Sequence, residues 1–447
     1  MAASRRGSVT SRRGGSNSHL ALLSSSRKPF ALASAPPGSE DDSDDHSEVC
    51  TGRSLATRRH QRIDGPRIAR SLVAAVAAWP APDATPLLRS LALVGRAYRE
   101  AAQVELFRHL TIGNSEQLRR CVSVLAKNAT LGRAVHDLTL RPRGGDAKSR
   151  DRVLKDARAL LHCLRNLRKL DEELFKGDFD VTDLDKDYPL GSASTIRLHS
   201  FRSRAAWWEI GAIHALLTSQ SELEVIDVGG AIVDREWAGA RLSEEAIKPS
   251  SRLRQLCVSQ ILHEDTLGVL LRVCGGPEGR LTDVALGFQS IDRDTPRASI
   301  TAAFRSVRDT VRQLTISAPL EATEDLSGFL DEVVAELPAL EVLEWNEGAD
   351  ALRVPIASSR FLDHLPRTLK ELRGRSLVSL STSKVLAWLE SDELGSDLKR
   401  IDLDWANGRG DEEGREPWYR ERHIARIQDA AEHVGIECRL SKGDAAL

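Results

Sequence analysis

The sequence lacks several features that would assign it to a particular class of protein. Its six cysteines include no C-x-x-C pair, which argues against a disulfide framework and favours reduced thiols. The longest apolar run, residues 72–82, is far too short to span a membrane, and no secretory signal is evident. Lys plus Arg number 63 against 65 Asp plus Glu, a net charge of -2 that gives no reason to expect nucleic acid as a partner.

Catalytic and metal-binding motifs are also missing. There is no Gly-x-Ser-x-Gly elbow, no phosphate-binding Gly-Lys-Ser/Thr loop and no His-Glu-x-x-His helix. Asp183, Asp185 and Asp187 resemble the start of a calcium loop, but Tyr188 replaces the glycine that such a loop requires. The sequence therefore predicts no catalytic residues, no metal site and no cofactor; an enzyme with a dispersed hydrolase site is the remaining alternative.

Residues 1–62 have the composition of a disordered tail. They are rich in Ser, Arg, Gly and Ala and show no hydrophobic periodicity. Basic residues come first, and an acidic block follows between Glu40 and Glu48. We expect a cytoplasmic or nuclear protein, with the mitochondrial matrix as a second possibility, because an Arg- and Ser-rich start without acids also resembles a transit peptide.

The rest of the chain repeats a six-residue pattern, apolar-x-x-apolar-x-apolar. Its copies begin at residues 135, 167, 193, 223, 253, 281, 311, 340, 369 and 398, so successive copies lie 26 to 32 residues apart. The copies at 167 and 369 keep only the first two apolar positions. A phase held over so many copies indicates a repeat architecture.

Helical patterns lie between the hexamers, which makes each repeat one strand and one helix. Such a unit leaves an apolar edge exposed unless its neighbour covers it, so the fold class predicted is α/β, a curved solenoid with parallel strands. Leu256 and Leu314 should lie in its core. An all-helical HEAT or armadillo solenoid is the rival, although the period is short for that class. Strands are expected near residues 137–140, 195–198, 225–228, 255–258, 283–286, 313–316, 342–345 and 400–403.

The period and the hexamer resemble the leucine-rich repeat family. One departure is that the Asn or Cys expected three residues after the last apolar position is absent, with Ala231 and Ile261 there in two central copies. The resemblance implies a repeat solenoid over residues 113–447 with a C-terminal cap, whose strand-to-helix turns lack the family's buried asparagine ladder.

Residues 63–112 carry three short helical patterns, interrupted after Trp79 by three prolines. The second pattern runs from Leu87 to Tyr98 and the third from Ala101 to Leu110. The stretch from Leu88 to Ile112 is similar to the second half of an F-box, as found in fungal F-box proteins with degenerate leucine-rich repeats. That resemblance implies contact with a Skp-type adaptor and a cullin ligase core. The adaptor-binding residues that it implies are Pro66, Ile68, Leu72, Leu91, Leu93, Val94 and Tyr98.

In a solenoid of this kind, the residues that flank the central apolar position of each hexamer face away from the core. In the middle copies these residues are small and weakly charged, whereas the ends are charged, which is typical of protein-binding patches. The predicted target-binding residues are Gln255, Ser259, Asp283, Ala285, Gln313, Thr315 and Ser317. The predicted charged rim comprises Lys169, Asp171, Glu173, Arg373, Arg375, Arg400, Asp402 and Asp404.

These features predict a non-catalytic protein-binding receptor that presents an unidentified target protein to a cullin-RING ubiquitin ligase. The alternative is a leucine-rich-repeat scaffold or regulator unconnected with ubiquitin, in which the N-terminal helices only cap the first repeat. Surface placement of Leu93, Val94 and Tyr98 would favour the first, and complete burial the second.

Overall fold

The structure is a computed structural model. The structure describes residues 65–78, 81–142, 147–174, 180–181, 188, 190, 195–204, 207–233, 252–261, 264–275, 279–288, 290–291, 297–317, 321–322, 326–347, 355–391, 397–405 and 421–442. The chain divides into two units, residues 1–59 and 60–447, and every described residue belongs to the second. The predicted tail of residues 1–62 therefore lies outside the described residues, as do the calcium-loop-like aspartates.

The described part alternates helices and strands. The helices are α1 Gly65–Ala77, α2 Ala81–Val94, α3 Arg96–Arg108, α4 Ser115–Lys127, α5 Ala129–Ala134, α6 Ala147–Cys163, α7 Ile210–Ser219, α8 Glu264–Gly275, α9 Arg297–Phe304, α10 Phe329–Ala335, α11 Thr382–Leu389 and α12 Glu421–His433. The strands are β1 His109–Ile112, β2 Asp137–Leu140, β3 Lys169–Glu172, β4 Asp180–Val181, β5 Ser200–Ser203, β6 Trp207–Glu209, β7 Val225–Val233, β8 Gln255–Ile261, β9 Asp283–Phe288, β10 Ser290–Ile291, β11 Gln313–Ser317, β12 Glu321–Ala322, β13 Val342–Asn346, β14 Glu371–Leu377, β15 Arg400–Trp405 and β16 Glu437–Lys442.

Twelve of these strands lie side by side in one parallel sheet. Their order is β1-β2-β3-β5-β7-β8-β9-β11-β13-β14-β15-β16, while β4 pairs with β6, β6 also pairs with β7, and β10 pairs with β12. Each of these twelve strands is adjacent in the sheet to the one that precedes it along the chain. A parallel neighbour needs a long connection, and most connections here contain a helix. This confirms the predicted α/β class with a parallel sheet.

The second apolar position of each hexamer forms one continuous buried row across the sheet. The row is Leu138, Leu170, Phe201, Ile226, Leu256, Val284, Leu314, Leu343, Leu372 and Ile401. All ten side chains are buried and belong to the same core cluster as apolar residues of α6, α7, α8 and α10. The predicted burial of Leu256 and Leu314 is confirmed, since both are 0% exposed.

Seven of the eight expected strands are confirmed, and the one placed at 195–198 is wrong. The strand of that repeat is β5, five residues later, with Phe201 beside Leu170 and Ile226. The true hexamer begins at Leu198 and ends at Ser203, which is buried although it is polar. A pattern that requires three apolar positions therefore does not fit this copy. It fits the preceding segment instead, through Ile196 and Leu198. The degenerate copies at 167 and 369 form the full strands β3 and β14.

The N-terminal helices also differ from the prediction in detail. Pro86 lies inside α2 and does not interrupt it. The second helix ends at Val94, because Gly95 is extended, and Tyr98 belongs to α3. At the other end of the sheet, α12 is followed by β16, which pairs with β15.

Two buried carboxylates accept hydrogen bonds where chain segments turn between strand and helix, as a buried asparagine ladder would. Glu347 accepts from the backbone N–H of Ile356 at 3.3 Å, of Val378 at 2.7 Å and of Ser379 at 3.0 Å. Such bonds are needed because an unpaired buried N–H is costly. Burial raises the pKa of the Glu347 carboxyl.

Glu172, at the end of β3, is the second buried carboxylate and fills the third hexamer position. Its carboxylate accepts from the Ser203 hydroxyl and, at 2.8 Å, from the Leu174 N–H. The Trp208 indole N–H in turn donates to the Ser203 Oγ at 3.2 Å. Burial raises the pKa of the Glu172 carboxyl, opposed by these hydrogen bonds to its oxygens.

The raised pKa of Glu172 predicts a stability that falls as pH rises. Above the ordinary pKa of a glutamate, about 4.3, the unfolded chain ionises here more readily than the folded one. Glu172→Gln removes the ionisable group but keeps only one of the two acceptor oxygens. The melting temperature of the variant minus that of the wild type should therefore increase from pH 5 to pH 8, whatever its value at pH 5. Thermal unfolding of both proteins across that range measures the margin. Glu173→Gln, on the open side of the same sheet, is the control and should show no such trend; a constant margin for Glu172→Gln would contradict the prediction.

Candidate protein-binding surfaces

Side chains that alternate with the buried rows cover the other side of the sheet, here called the open face. Its middle row, one residue from each of the twelve strands of the parallel sheet, is Thr111, Thr139, Asp171, Arg202, Asp227, Cys257, Ala285, Thr315, Glu344, Arg373, Asp402 and Arg439. Adjacent strands are about 4.8 Å apart, so side chains from repeats distant in sequence lie next to one another. The row carries charged residues on both sides of an uncharged centre, and beyond them the threonines at its β1 end are uncharged.

The uncharged centre coincides with the predicted target-binding residues. We define the central window as Gln255, Cys257, Ser259, Asp283, Ala285, Gly287, Gln313, Thr315 and Ser317, on β8, β9 and β11. The register places Asp283 between Gln255 and Gln313, and Ala285 between Cys257 and Thr315. All seven predicted residues thus share one surface, with Gln255 exposed and the other six half-buried.

The window stays nearly neutral near pH 7. Burial and the neighbouring Asp227 carboxylate raise the pKa of the Cys257 thiol to about 11, so the thiol is protonated. Asp283 is the single carboxylate in the window, and it accepts a hydrogen bond from the Thr282 hydroxyl at 3.1 Å. A surface of small, mostly uncharged groups costs little to desolvate when a partner covers it.

One side of the window is bordered by an ion-paired group on β5 and β7. The Asp227 carboxylate accepts from the Arg202 Nε at 2.5 Å and from both terminal nitrogens of Arg204 at 3.3 Å. Sequence analysis missed this group because the hexamer of that repeat was placed five residues too early. The signal that could have revealed it is the Arg-x-Arg spacing of 202 and 204, opposite an aspartate of the next repeat.

The other side is bordered by a second ion-paired group, on β13, β14 and β15. Arg375 contacts both carboxylate oxygens of Asp402 at 3.3 Å, and Arg400 lies 3.7 Å from the same carboxylate. Arg373 lies 2.5 Å from Glu371 and 3.5 Å from Glu344. Guanidinium forks held in this way have fixed orientations.

The remaining predicted rim residues lie further out. At β3, Arg141 lies 3.5 Å from Asp171 and 3.7 Å from Glu173, while Lys169 is exposed. Asp404, on β15, accepts from the Ser441 hydroxyl at 2.8 Å. The structure therefore brings Arg375, Arg400, Asp402 and Arg373 together and leaves the β3 residues in a separate group.

A second candidate surface lies on the N-terminal helices. Val73, Leu88 and Ala102 form a small core between α1, α2 and α3, against which Leu91 and Tyr98 pack half-buried. Leu93 is 80% exposed and Val94 70% exposed at the end of α2, and Leu72 on α1 is 45% exposed. Of the predicted adaptor-binding residues, Pro66 and Ile68 lie in α1, but their side chains are outside the description.

Comparisons with known proteins give no family. No family model matches the chain, and no curated protein matches it. The chain is similar to a solved Bacteroides fragilis protein at 10% identity, with a TM-score of 0.30 over 73% of this chain and 69% of that one. It is also similar to the TLR13–ssRNA13 complex at 12% identity, with a TM-score of 0.30 over 63% of this chain and 42% of that one.

An internalin, InlF from Listeria monocytogenes, is likewise similar at 12% identity, with a TM-score of 0.32 over 74% of this chain and 91% of that one. Likenesses as low as these three assign neither family nor function. Within the described residues, no helix combines the length and apolarity that a membrane crossing needs.

The central window depends on a glycine where two strands approach closely. A Cβ added to Gly287 would lie 2.0 Å from the carbonyl oxygen of Ser259 on the neighbouring strand. We expect Gly287→Ala to displace β8 from β9 and to destabilise the protein by about 1–3 kcal/mol, the usual cost of overpacking. Chemical denaturation gives the free energy of unfolding.

The matched control is Gly268→Ala in α8, where no atom lies within 4 Å of an added Cβ. A helical alanine is about 1 kcal/mol more favourable than glycine, so this variant should be at least as stable as the wild type. Equal stabilities for the two variants would contradict the close approach at Gly287.

Proposed function

We propose that this chain is a non-catalytic leucine-rich-repeat receptor that binds a target protein on the open face. Its N-terminal helices act as an F-box and attach it to a Skp-type adaptor of a cullin-RING ubiquitin ligase. The ligase partners supply the chemistry, and the receptor supplies recognition. The proposal includes the curved solenoid that the hexamer period predicts.

The observation that carries the adaptor half of the proposal is the exposure of Leu93 and Val94. Large apolar side chains 80% and 70% exposed, next to each other and beside a three-residue core, leave apolar surface available to a partner. Both belong to the stretch that resembles an F-box. Tyr98 is half-buried against the core and contributes a smaller surface.

The target half of the proposal is supported by the pattern of charge on the open face. Pairing of Arg202 and Arg204 with Asp227 on one side, and of Arg375 with Asp402 on the other, leaves a nearly neutral strip between two fixed charged borders. From Asp227 on β7 to Glu344 on β13 is four strand steps, about 19 Å at 4.8 Å per step. This width suits a helix or an extended segment of a target protein.

A scaffold outside any ligase is the alternative, and one observation favours it. Helix α3 ends at Arg108, β1 begins at the next residue, and α3 also contacts α5 of the first repeat. A helical segment joined so directly to the sheet has the placement of a cap that shields the edge of the first repeat. The two functions differ in whether the exposed pair on α2 binds a partner.

The adaptor proposal predicts that Leu93→Asp with Val94→Asp abolishes binding to a purified Skp-type adaptor. Because both side chains are largely exposed, the melting temperature should stay within a few degrees of wild type. We expect affinity, measured by calorimetry, to fall at least tenfold, which is about 1.4 kcal/mol.

The matched control places the same changes at two other exposed valines, Val124→Asp and Val434→Asp, 46% and 47% exposed on the repeats. This control should bind the adaptor as the wild type does. If the wild-type protein itself does not bind the adaptor, the ligase proposal is wrong. The alternative, in which the N-terminal helices only cap the first repeat, is then favoured.

The target proposal predicts that Ala285→Arg with Thr315→Arg prevents target capture without unfolding the protein. Both side chains are half-buried at the centre of the window, where two guanidinium groups would block close approach. A captured protein should be purified and its affinity for the double variant measured, with a loss of at least tenfold expected. Ala302→Arg with Thr218→Arg, exposed on α9 and α7, is the matched control; undiminished binding by the window variant would move the site elsewhere.

A further inference from the structure

Positive charge accumulates at the edge where the first strands of the sheet begin. Five exposed cations, here called the basic edge, lie just before or at the start of β2, β3 and β5: Arg133, Arg165, Arg168, Lys169 and Arg197. Within the described residues, none of the five has a carboxylate oxygen within 4.0 Å. Unpaired cations that lie close together repel one another, and an anionic partner relieves this repulsion.

Backbone hydrogen bonds hold these residues in adjacent positions. The Arg168 N–H donates to the His136 carbonyl at 2.8 Å, and the His199 N–H donates to the Arg168 carbonyl at 2.8 Å. The side-chain amide of Asn166 donates to the carbonyl of Arg133 at 2.8 Å and fixes the end of α5 beside the loop before β3. These hydrogen bonds fix the backbone at Arg133 and Arg168 relative to the neighbouring segments.

Nearby carboxylates are already engaged with other groups. Glu105 lies 3.4 Å from Arg108, and Asp137 lies 2.8 Å from His109. On the far side, Glu222 and Glu224 lie 3.4 Å and 3.8 Å from His199. These carboxylates thus contact other side chains, and in the described part of the chain none lies within 4.0 Å of a basic-edge cation.

The pKa of His136, the residue directly before β2, is affected by this charge. Its pKa is lowered by burial and then by Arg108 and Arg168, while the carboxylate of Asp137 opposes the shift. The positive charges of Arg108 and Arg168 disfavour protonation of the imidazole, and a bound anion would reduce this effect.

We propose that the basic edge is a second interaction surface, which binds an acidic segment of another protein. From β2 to β5 there are two strand steps, about 10 Å at 4.8 Å per step, which three extended residues span at about 3.3 Å each. Carboxylates of such a segment pair with the guanidinium groups at the spacing of the strands. The inference does not depend on the proposed ligase function or on the central window.

A protein segment suits this surface better than nucleic acid. Asp171 and Glu173 lie at the other end of β3, and Glu222 and Glu224 precede β7, so carboxylates border the positive area on two sides. The phosphates of a nucleic acid strand continue past a patch of about 10 Å and would meet those carboxylates. A short acidic segment ends before it reaches them.

The test uses the full chain and a fluorescent octaglutamate peptide, with octaglutamine as the uncharged probe, in fluorescence anisotropy at about 50 mM salt, where charge interactions are weakly screened. Wild type should bind octaglutamate and not octaglutamine. Arg133→Glu, Arg165→Glu and Arg168→Glu together should weaken binding at least tenfold. Arg119→Glu, Arg152→Glu and Lys155→Glu, exposed on α4 and α6, alter net charge equally and should change affinity less than twofold.

A second variant distinguishes loss of charge from loss of folded structure as the cause of lost binding. The three edge arginines changed to Gln remove charge without adding any, and this variant should also lose binding while its melting temperature matches that of the wild type. In the wild type, bound octaglutamate should raise the pKa of His136, followed by NMR titration of its imidazole against a His136→Gln assignment sample.

Three outcomes would overturn the proposal. They are no binding of octaglutamate by the wild type, equal losses in the edge and control variants, and an unchanged His136 titration when the peptide is bound. Tighter binding of an eight-nucleotide single-stranded DNA that is lost in the edge variant would overturn the assignment to a protein partner.

Discussion

In-register parallel pairing of the hexamers is the constraint on which the rest of the structure depends. Each of the twelve strands that lie side by side in the sheet is only four to nine residues long and cannot bury its apolar positions alone. Pairing Leu256 with Ile226 and Val284, and repeating that match from β2 to β15, turns isolated apolar positions into one continuous core. The same register brings the intervening side chains into rows, so the surface chemistry follows from residues about one repeat apart in the sequence.

Departures from the hexamer are accommodated by the neighbouring strand. Gly374 occupies an inner position of β14 opposite Trp345 of β13, and a Cβ on Gly374 would lie 2.9 Å from the indole ring. The indole packs instead against Phe361, with ring centroids 5.3 Å apart. Glu172 and Ser203 also depart from the apolar pattern, because both are polar and occupy buried positions. The Ser203 hydroxyl donates a hydrogen bond to the Glu172 carboxylate. In both cases, a residue that departs from the hexamer pattern is accommodated by a residue on the adjacent strand.

Three surfaces with different chemistry result from this arrangement. The central window is nearly neutral and bordered by fixed ion pairs, which suits recognition of a shape. The basic edge is charged and unpaired, which suits attraction and orientation of an acidic partner. Exposed Leu93 and Val94 are apolar and lie on helices whose core is separate from that of the sheet. A receptor that joins two partners needs such separate surfaces, which is why the proposed function assigns the helices and the window to different proteins.

The sequence by itself determined the repeat period, the α/β class, the parallel sheet and most of the strands, because a period of two within each hexamer and a fixed phase between hexamers are local properties of the chain. It also placed the residues of the central window on one surface, since position in the hexamer decides which way a side chain faces. Only the tertiary structure decided the register of β5, because Ser203 is polar in sequence and buried only by virtue of Glu172 on another strand. The pairing of Arg202 and Arg204 with Asp227 likewise depends on distances between repeats, as does the lack, among the described residues, of a carboxylate oxygen within 4.0 Å of the basic-edge cations. A one-dimensional pattern specifies the direction of a side chain but not which charge from the next repeat lies beside it.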